Sequence, residues 1–382
     1  MKNYDWIVIG GGITGSALAY ELAKKKFKVL LLEKQVDLNN ATCYSYGGLA
    51  YWSGTDQFSH KLCQEGLNIH RNLSEELEGD TEFREIDLLL TINLEDDPKI
   101  VLENYNKFSI KPQCLTIEQA CELEPLLNPN AISGALKLPQ GHINPQKTNE
   151  AYQQAFLRLG GELKIEEIIE LITVKNAVEG VVTNGQKYYS KNTVVCAGAL
   201  TRSLLKKAGI TVDVYFTHAQ LIMTPPVDIH LKTMVMPAVL KRLMVESEVS
   251  QYQWDNPSSE LIADVMEPGA IQFRDGRICL GQISQICTNP QARINEISSE
   301  KTIRKKVGEL LPALQNLPGT WHNCLVAFTP YSNSLVGKIE DCTGIYLFSG
   351  FTSTLIFAPP LARYFANWVA ENSPQLPVIS HQ

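Results

Sequence analysis

Asp5-Trp-Ile-Val-Ile-Gly-Gly-Gly-Ile-Thr-Gly-Ser-Ala-Leu-Ala19 decides the fold. Trp6 to Ile9 reads as a buried strand, the glycines as a tight turn, and the residues from Ile13 onward as a helix. Gly10, Gly12 and Gly15 form G-x-G-x-x-G, and the acid Glu33 closes the next apolar run, Val29-Leu-Leu-Leu32. Each part has a physical job. A bare backbone at Gly10 and Gly12 turns sharply and admits a pyrophosphate, while Gly15 and Ala19 let the helix lie close to the sheet. The helix N-terminus offers free N–H groups, with Ile13 and Thr14 in its first turn, and a positive dipole end to phosphates. Glu33 accepts hydrogen bonds from a ribose diol. Strand, glycine turn, helix, strand and acid at these spacings read as a dinucleotide site.

The rest of the chain sets limits. Its 382 residues suffice for two domains, and 44% hydrophobic with 20% charged residues is ordinary globular composition. A net charge of −7, with no run of Lys or Arg that offers a phosphate-tracking patch, argues against a nucleic-acid partner. Nine scattered cysteines do not form a disulfide framework and fit a reducing compartment. The chain enters its first strand by Trp6 with no signal-peptide pattern before it, and no apolar stretch approaches the ~20 residues of a bilayer span. A cytoplasmic protein is expected, with no transmembrane segment and no metal site; its oligomeric state is left open.

Alternation of strand and helix patterns predicts an α/β protein: a Rossmann-like nucleotide-binding domain with an inserted β-rich substrate domain, a mixed sheet flanked by helices. The nucleotide domain is expected over 1–82, 141–212 and 320–382, and the substrate domain over 83–140 and 213–319. Helices are expected over Phe58–Leu77, Thr116–Glu124, Pro145–Leu159, from Thr201, and from Pro359 to Glu371. Strands from Glu162 to Tyr189 read as a four-stranded meander with an Asn184-Gly185 turn, and Asp275-Gly276 as a hairpin turn between Ala270 and Gly281.

Four stretches together resemble the D-amino-acid-oxidase superfamily of FAD enzymes, in particular its glycine oxidase and sarcosine oxidase branch. They are the Gly10 loop with Glu33-Lys34, the loop Thr42 to Gly48, Gly141-His-Ile-Asn-Pro145, and Val194-Val-Cys-Ala-Gly-Ala199. Asp275 to Gly281, Thr329-Pro330 with Gly337, and Ser349-Gly-Phe351 with Ala358-Pro359 follow in the family's order, so the resemblance spans nearly the whole chain. It implies FAD held at the pyrophosphate by Gly10, Gly12 and Gly15, and at the adenosine ribose by Glu33 and Lys34. Thr42 and Cys43 would lie near the phosphates and Gly47 and Gly48 near the flavin ring. Val174 would meet adenine through its backbone, and Ala197 and Gly198 would flank the middle of the cofactor. The loop Gly350, Thr352, Ser353, Thr354 and Leu355 would approach the pyrimidine side of the ring.

The resemblance also implies an activity: oxidation of the C–N bond of a small amine or amino acid by hydride transfer to flavin N5, with dioxygen or another electron acceptor. A carboxylate substrate calls for a bidentate Arg, and here the chain departs from its relatives. Val326 stands where glycine oxidases carry that Arg, Tyr331 replaces an Asp, and Thr354 and Phe357 replace the His and Lys of sarcosine oxidases. Arg274 in the hairpin, His218 in Thr217-His-Ala-Gln220, and Tyr51 are the candidates left for the catalytic side, with Tyr46 and Trp52 as pocket walls. For each, a structural role competes: a solvated hairpin charge, a satisfied core histidine, packing aromatics. Cys324 aligns with the cysteine that sarcosine oxidases join covalently to flavin; a small buried cysteine, with FAD held non-covalently, is the competing and favoured reading. Two further functions stay open: an FAD-dependent dehydrogenase of a 2-hydroxy acid or other CH–OH substrate, and a flavin-binding protein or complex subunit with little turnover.

Overall fold

Neighbouring residues of the first strand, Asn3–Ile9, belong to two different cores. Trp6 and Val8 pack with the helices Ile13–Lys24, Pro145–Arg158 and Thr354–Glu371. Ile7 and Ile9 pack on the opposite face with Leu204, Leu205 and Val181. The next strand, Val29–Glu33, divides the same way, Val29 and Leu31 to one side and Leu30 and Leu32 to the other. A strand alternates its side chains, so an unbroken apolar run is what a sheet covered on both faces requires. The computed structural model describes residues 3–36, 39–252, 254–331 and 334–371.

Two sheets organise these residues. The first runs Leu335–Lys338, Ile345–Ser349, Lys187–Val195, Asn3–Ile9, Val29–Glu33, Glu162–Ile165. All its neighbours pair in parallel except Leu335–Lys338, which pairs antiparallel at the edge. The antiparallel strands Ile168–Val174 and Ala177–Thr183 extend from Lys187–Tyr189. Glu162–Ile165 is thus no part of a meander: it pairs in parallel with Val29–Glu33, because the helix Pro145–Arg158 carries it across the sheet as a crossover.

The second sheet has nine strands: Thr320–Phe328, Tyr215–Met223, Ile278–Ile286, Ala263–Gln272, Met234–Pro237, Arg84–Ile92, Gly134–His142 and Gly48–Leu49, with Gln113–Leu115 beside Gly134–His142. Only Met234–Pro237 and Arg84–Ile92 pair in parallel. One face packs on the helix Glu296–Leu310 through Leu89, Val235, Ala270 and Leu280. The other, with Leu88, Leu90, Leu221 and Met234, faces Tyr46 and Trp52. By sheet membership, Thr320–Phe328 and Gly48–Leu49 go with the second sheet, whereas the division expected from the sequence put both stretches with the first. Thr320–Phe328 pairs with Tyr215–Met223 from Met223↔Thr320 to Tyr215↔Phe328, and a two-residue strand such as Gly48–Leu49 carries no periodicity of its own. Residues 372–382 of the expected last segment lie outside the described residues.

Helix boundaries follow their caps. Asp56 accepts from the N–H groups of Phe58 and Ser59 at 2.8 and 2.9 Å, starting Gln57–Glu76. Thr116 caps Ile117–Leu123 reciprocally with Gln119, and Asn144 caps Pro145–Arg158 with Pro145 in the first position. The last helix begins at Thr354, five residues before the expected start, and keeps Pro359 and Pro360 inside it. The Phe273 N–H to Arg277 carbonyl bond closes the expected Asp275-Gly276 hairpin, with Gly276 at φ +89°.

Candidate active site

Four parallel strands end at one cleft. Ile9-Gly10, Leu32-Glu33, Cys196-Ala197 and Ser349-Gly350 all line a cavity of about 1350 Å³, the crevice at strand carboxyl ends where doubly wound sheets hold ligands. Gly10 turns the chain at φ +102°. A Cβ on Gly15 would lie 1.9 Å from the Gly10 carbonyl oxygen, so the helix can approach the loop only through glycine. The helix Ile13–Lys24 starts at Gly12, which has no side chain to cap it, and its N-terminus lies at the cleft, where its dipole suits an anion.

The glycine loop is held by side chains around it. The Gly11 carbonyl accepts hydrogen bonds from Ser16 Oγ (3.0 Å), Asn149 Nδ2 (3.1 Å) and Gln153 Nε2 (2.9 Å). Gly11 N–H donates to Glu33 Oε2 at 2.7 Å, and Ile13 N–H to Thr42 Oγ1 at 3.1 Å. Glu33 Oε1 accepts from the Lys34 and Gln35 N–H groups. Glu33 and Thr42 are thus locked to the loop that they were expected to serve. Asn149 and Gln153 were missed by the sequence reading. Their spacing of four on one helix face is a weak signal, and only the fold aims that face at Gly11.

Of the residues expected at the cofactor, Gly10, Gly12, Ile13, Thr14, Glu33 and Lys34 line the cleft. So do Thr42, Gly48, Ala197 and Gly198, together with Gly350, Thr352, Ser353, Thr354 and Leu355. The last two are the first turn of the final helix rather than loop. Gly15, Cys43 and Gly47 stand outside the lining. Gly47 turns the chain at φ +75° and would set a Cβ 2.2 Å from the Ile143 carbonyl oxygen. Val174 is exposed on the meander, away from the cleft, and Glu166, Glu167 and Ile168 line that end instead.

The expected catalytic residues are elsewhere. Arg274 is exposed, donating from Nη2 to the Phe83 carbonyl at 2.8 Å. His218 is buried on Tyr215–Met223, its Nε2 3.1 Å from the Asn289 carbonyl oxygen, and burial lowers its pKa. Its strand neighbours Ala219 and Leu221 line the cleft and His218 does not. Tyr51 packs against the first core. Trp52, behind the wall, donates from Nε1 to Gln140 Oε1 at 2.8 Å.

The second sheet supplies the far wall with Leu221, Met234, Met236, Gln282, Cys324 and Val326. Burial pushes the Cys324 thiol up to about 12, so it is a thiol rather than a thiolate. Tyr46, expected as a pocket wall, lines the cleft, and so do two charged residues that gave no signal in the sequence. The Tyr46 hydroxyl is buried without a hydrogen-bond partner, its pKa raised well above the usual phenol value by burial and by nearby Cys279 and Glu267. Arg242 and Glu246, one turn apart on the helix Lys241–Val249, also line the cleft. Glu246 Oε1 accepts from Thr217 Oγ1 at 2.7 Å.

These features fit a dinucleotide: a helix N-terminus at the cleft beyond a glycine turn, a buried acid beside it, and unpartnered buried hydroxyls of Tyr46 and Thr329 on the cleft wall. The family model described as FAD dependent oxidoreductase matches residues 5–368, and the chain belongs to that family. By sequence it is 25% identical over 378 residues to 4-methylaminobutanoate oxidase (formaldehyde-forming) of Paenarthrobacter nicotinovorans, covering 96% of this chain and 44% of that one. It is 30% identical over 216 residues to human peroxisomal sarcosine oxidase, covering 54% of this chain and 53% of that one. The chain thus spans about half the length of these relatives. In fold it is similar to glycine oxidase from Geobacillus kaustophilus, with a TM-score of 0.81 at 19% identity and full coverage of both chains. Among the described residues no helix is long and apolar enough to cross a membrane.

Proposed function

We propose that this member of the FAD dependent oxidoreductase family oxidises the C–N bond of a small amine or amino acid. The observation that carries the reading is one continuous cleft. It joins the carboxyl ends of four parallel strands to an apolar wall of the second sheet bearing a few polar groups, the usual make-up of a small-molecule site. Gly10, Gly12 and the helix N-terminus would hold the pyrophosphate, Glu33 the ribose, and Gly350 to Leu355 the far end of FAD. When bound, FAD supplies the two-electron acceptor for the C–N bond, and dioxygen or another acceptor takes the electrons on. Leu221, Met234 and Met236 exclude water from the reacting carbon. The Tyr46 phenol keeps its proton and is a donor to whatever enters. Relatives named for methylated or simple amines support this choice over a hydroxy acid. Nine unpaired cysteines support a cytoplasmic setting.

Anaerobic bleaching of the FAD-loaded protein tests the reading against a library of amines, amino acids and hydroxy acids. Bleaching by an amine, with the matching carbonyl compound as product, is the expected result. Bleaching by hydroxy acids alone, or by no compound, would overturn it.

A further inference from the structure

Among the described residues the Arg242 guanidinium has no hydrogen-bond partner. Its side chain is 26% exposed, lines the cleft, and has its nearest carboxylate oxygen, Glu246 Oε1, at 4.0 Å. No described hydrogen bond uses any of its side-chain N–H groups, although guanidinium presents five donors in a planar fork. Largely buried polar groups of this strength are normally paired. The helix that carries it is fastened in place: Arg242 N–H donates to Glu267 Oε1 at 3.1 Å, and Glu246 is held by Thr217. Glu246 and Glu267 keep the arginine charged without occupying its fork.

The surroundings point the fork at a ligand. Tyr46, whose hydroxyl has no partner, lines the same cleft as Arg242, Met234 and Met236. The other cation near this wall, Lys107, is exposed and lies over the Phe108 ring. Met234 and Met236 on one strand connect the two ends of the wall. Met234 reaches Gly48, where a Cβ would lie 3.1 Å from its Cε, and Met236 lies against Gly269, two residues from Glu267. Two strand residues span roughly 6–7 Å. The strand thus runs from Gly48 toward Glu267, whose carboxylate accepts the Arg242 N–H, and a substrate lying along these methionines extends from Gly48 toward the segment that carries Arg242.

We propose that Arg242 is the anion-binding residue of this enzyme, and that its substrates are amines carrying a carboxylate several carbons from the nitrogen that is oxidised. The proposal rests on the C–N reading above and answers the loss of Arg at position 326: the carboxylate clamp has moved to a helix on another wall. Glu246 is a positioning residue, holding the guanidinium from one side.

The experiment uses the FAD-loaded protein and its Arg242→Gln and Arg242→Lys variants, with three methylamines as probes. They are N-methylglycine, 4-(methylamino)butanoate and N-methylbutylamine, which lacks the carboxylate. Anaerobic bleaching rates should rank 4-(methylamino)butanoate first. R242Q should lower its kcat/KM by about 10- to 100-fold, mostly through KM, as expected for losing hydrogen bonds to a charged group. N-methylbutylamine should be unaffected, and R242K should fall between. Equal losses for both compounds, or none, would overturn the assignment. Binding of butanoate, followed by thermal stabilisation and the flavin spectrum, reads the site without turnover. A shift in wild type that R242Q abolishes supports the clamp even if no amine bleaches the flavin. An equal shift in both proteins, or none in wild type, rejects it.

Discussion

His70 Nε2 lies 2.7 Å from the carbonyl oxygen of Leu355, the group that Pro359 leaves without a helical partner. In a regular helix the N–H four residues on would donate to Leu355, but proline has none. A carbonyl only accepts, so the imidazole carries its proton on Nε2, and its buried Nδ1 has no partner. The adjacent carbonyl, Ile356, freed in the same way by Pro360, packs against Gly66, where a Cβ would lie 2.2 Å from its oxygen. His70 and Gly66 sit one turn apart on Gln57–Glu76, so that helix gives one freed carbonyl a donor and packs closely on the other.

If His70 stands in for the missing N–H, His70→Ala should cost about 1–3 kcal/mol of stability. In a Pro359→Ala background the backbone can serve Leu355 again, and the same substitution should cost about 1 kcal/mol less. Chemical denaturation of the four proteins gives the coupling, and an unchanged cost would refute the relationship.

Burial holds His70 at a pKa of about 4, against an ordinary value of 6.5. The folded state thus resists protonation that the unfolded chain accepts. The neutral ring's contribution is complete above pH 6.5 and is lost as pH falls through about 4, amounting to roughly 3 kcal/mol at the low end. His142, held at about 3 by burial and by Arg84, acts in the same direction. Melting temperature measured from pH 7.5 to 4 should fall steadily, with a shallower fall in His70→Gln.

Two glycines of the loop should respond differently to Ala. At Gly15 the new Cβ meets a backbone oxygen at 1.9 Å, and at Gly12 it meets only Thr42 Oγ1 at 3.1 Å. Gly15→Ala should purify without flavin and melt earlier by several degrees, whereas Gly12→Ala should keep its fold and bind FAD about 10-fold more weakly. The ratio of flavin to protein absorbance, with the melting curve, separates the two.

A thiol raised to about 12 is not the nucleophile that covalent attachment at Cys324 needs. Acid precipitation should leave yellow supernatant and colourless pellet, and Cys324→Ala should retain its flavin. Colour in the wild-type pellet would reverse this conclusion.

Tyr46→Phe removes a buried hydroxyl with no partner in the protein. The fold should lose nothing and can gain up to about 1 kcal/mol, because an unmet desolvation cost disappears. If the hydroxyl serves the ligand, KM for the best amine should rise about 5- to 20-fold at unchanged melting temperature.

Legibility followed the range of the contacts. The strand, glycine turn, helix and acid from Trp6 to Glu33 signal through spacing within about thirty residues, and their placement held. The hairpin at Asp275-Gly276 and the capped helices are local in the same sense. Glu162–Ile165 was misread because a parallel neighbour 130 residues away leaves no trace in a short strand. The final helix was started too late because Pro359 argued locally against a helix whose Leu355 carbonyl His70 satisfies from another element.

The sequence by itself determined the nucleotide half of this protein, since glycines at fixed spacing before a helix have few other uses. The tertiary structure alone decided the other half. Met234, Arg242 and Gln282 come from three separate segments, and their types and spacing announce nothing until the fold brings them to one cleft. Arg274 and His218 looked more suitable in the chain, but one side chain bonds outward and the other is buried behind its strand. A binding residue is defined by where its side chain points and by which partners the fold withholds from it, and neither property is written in local sequence.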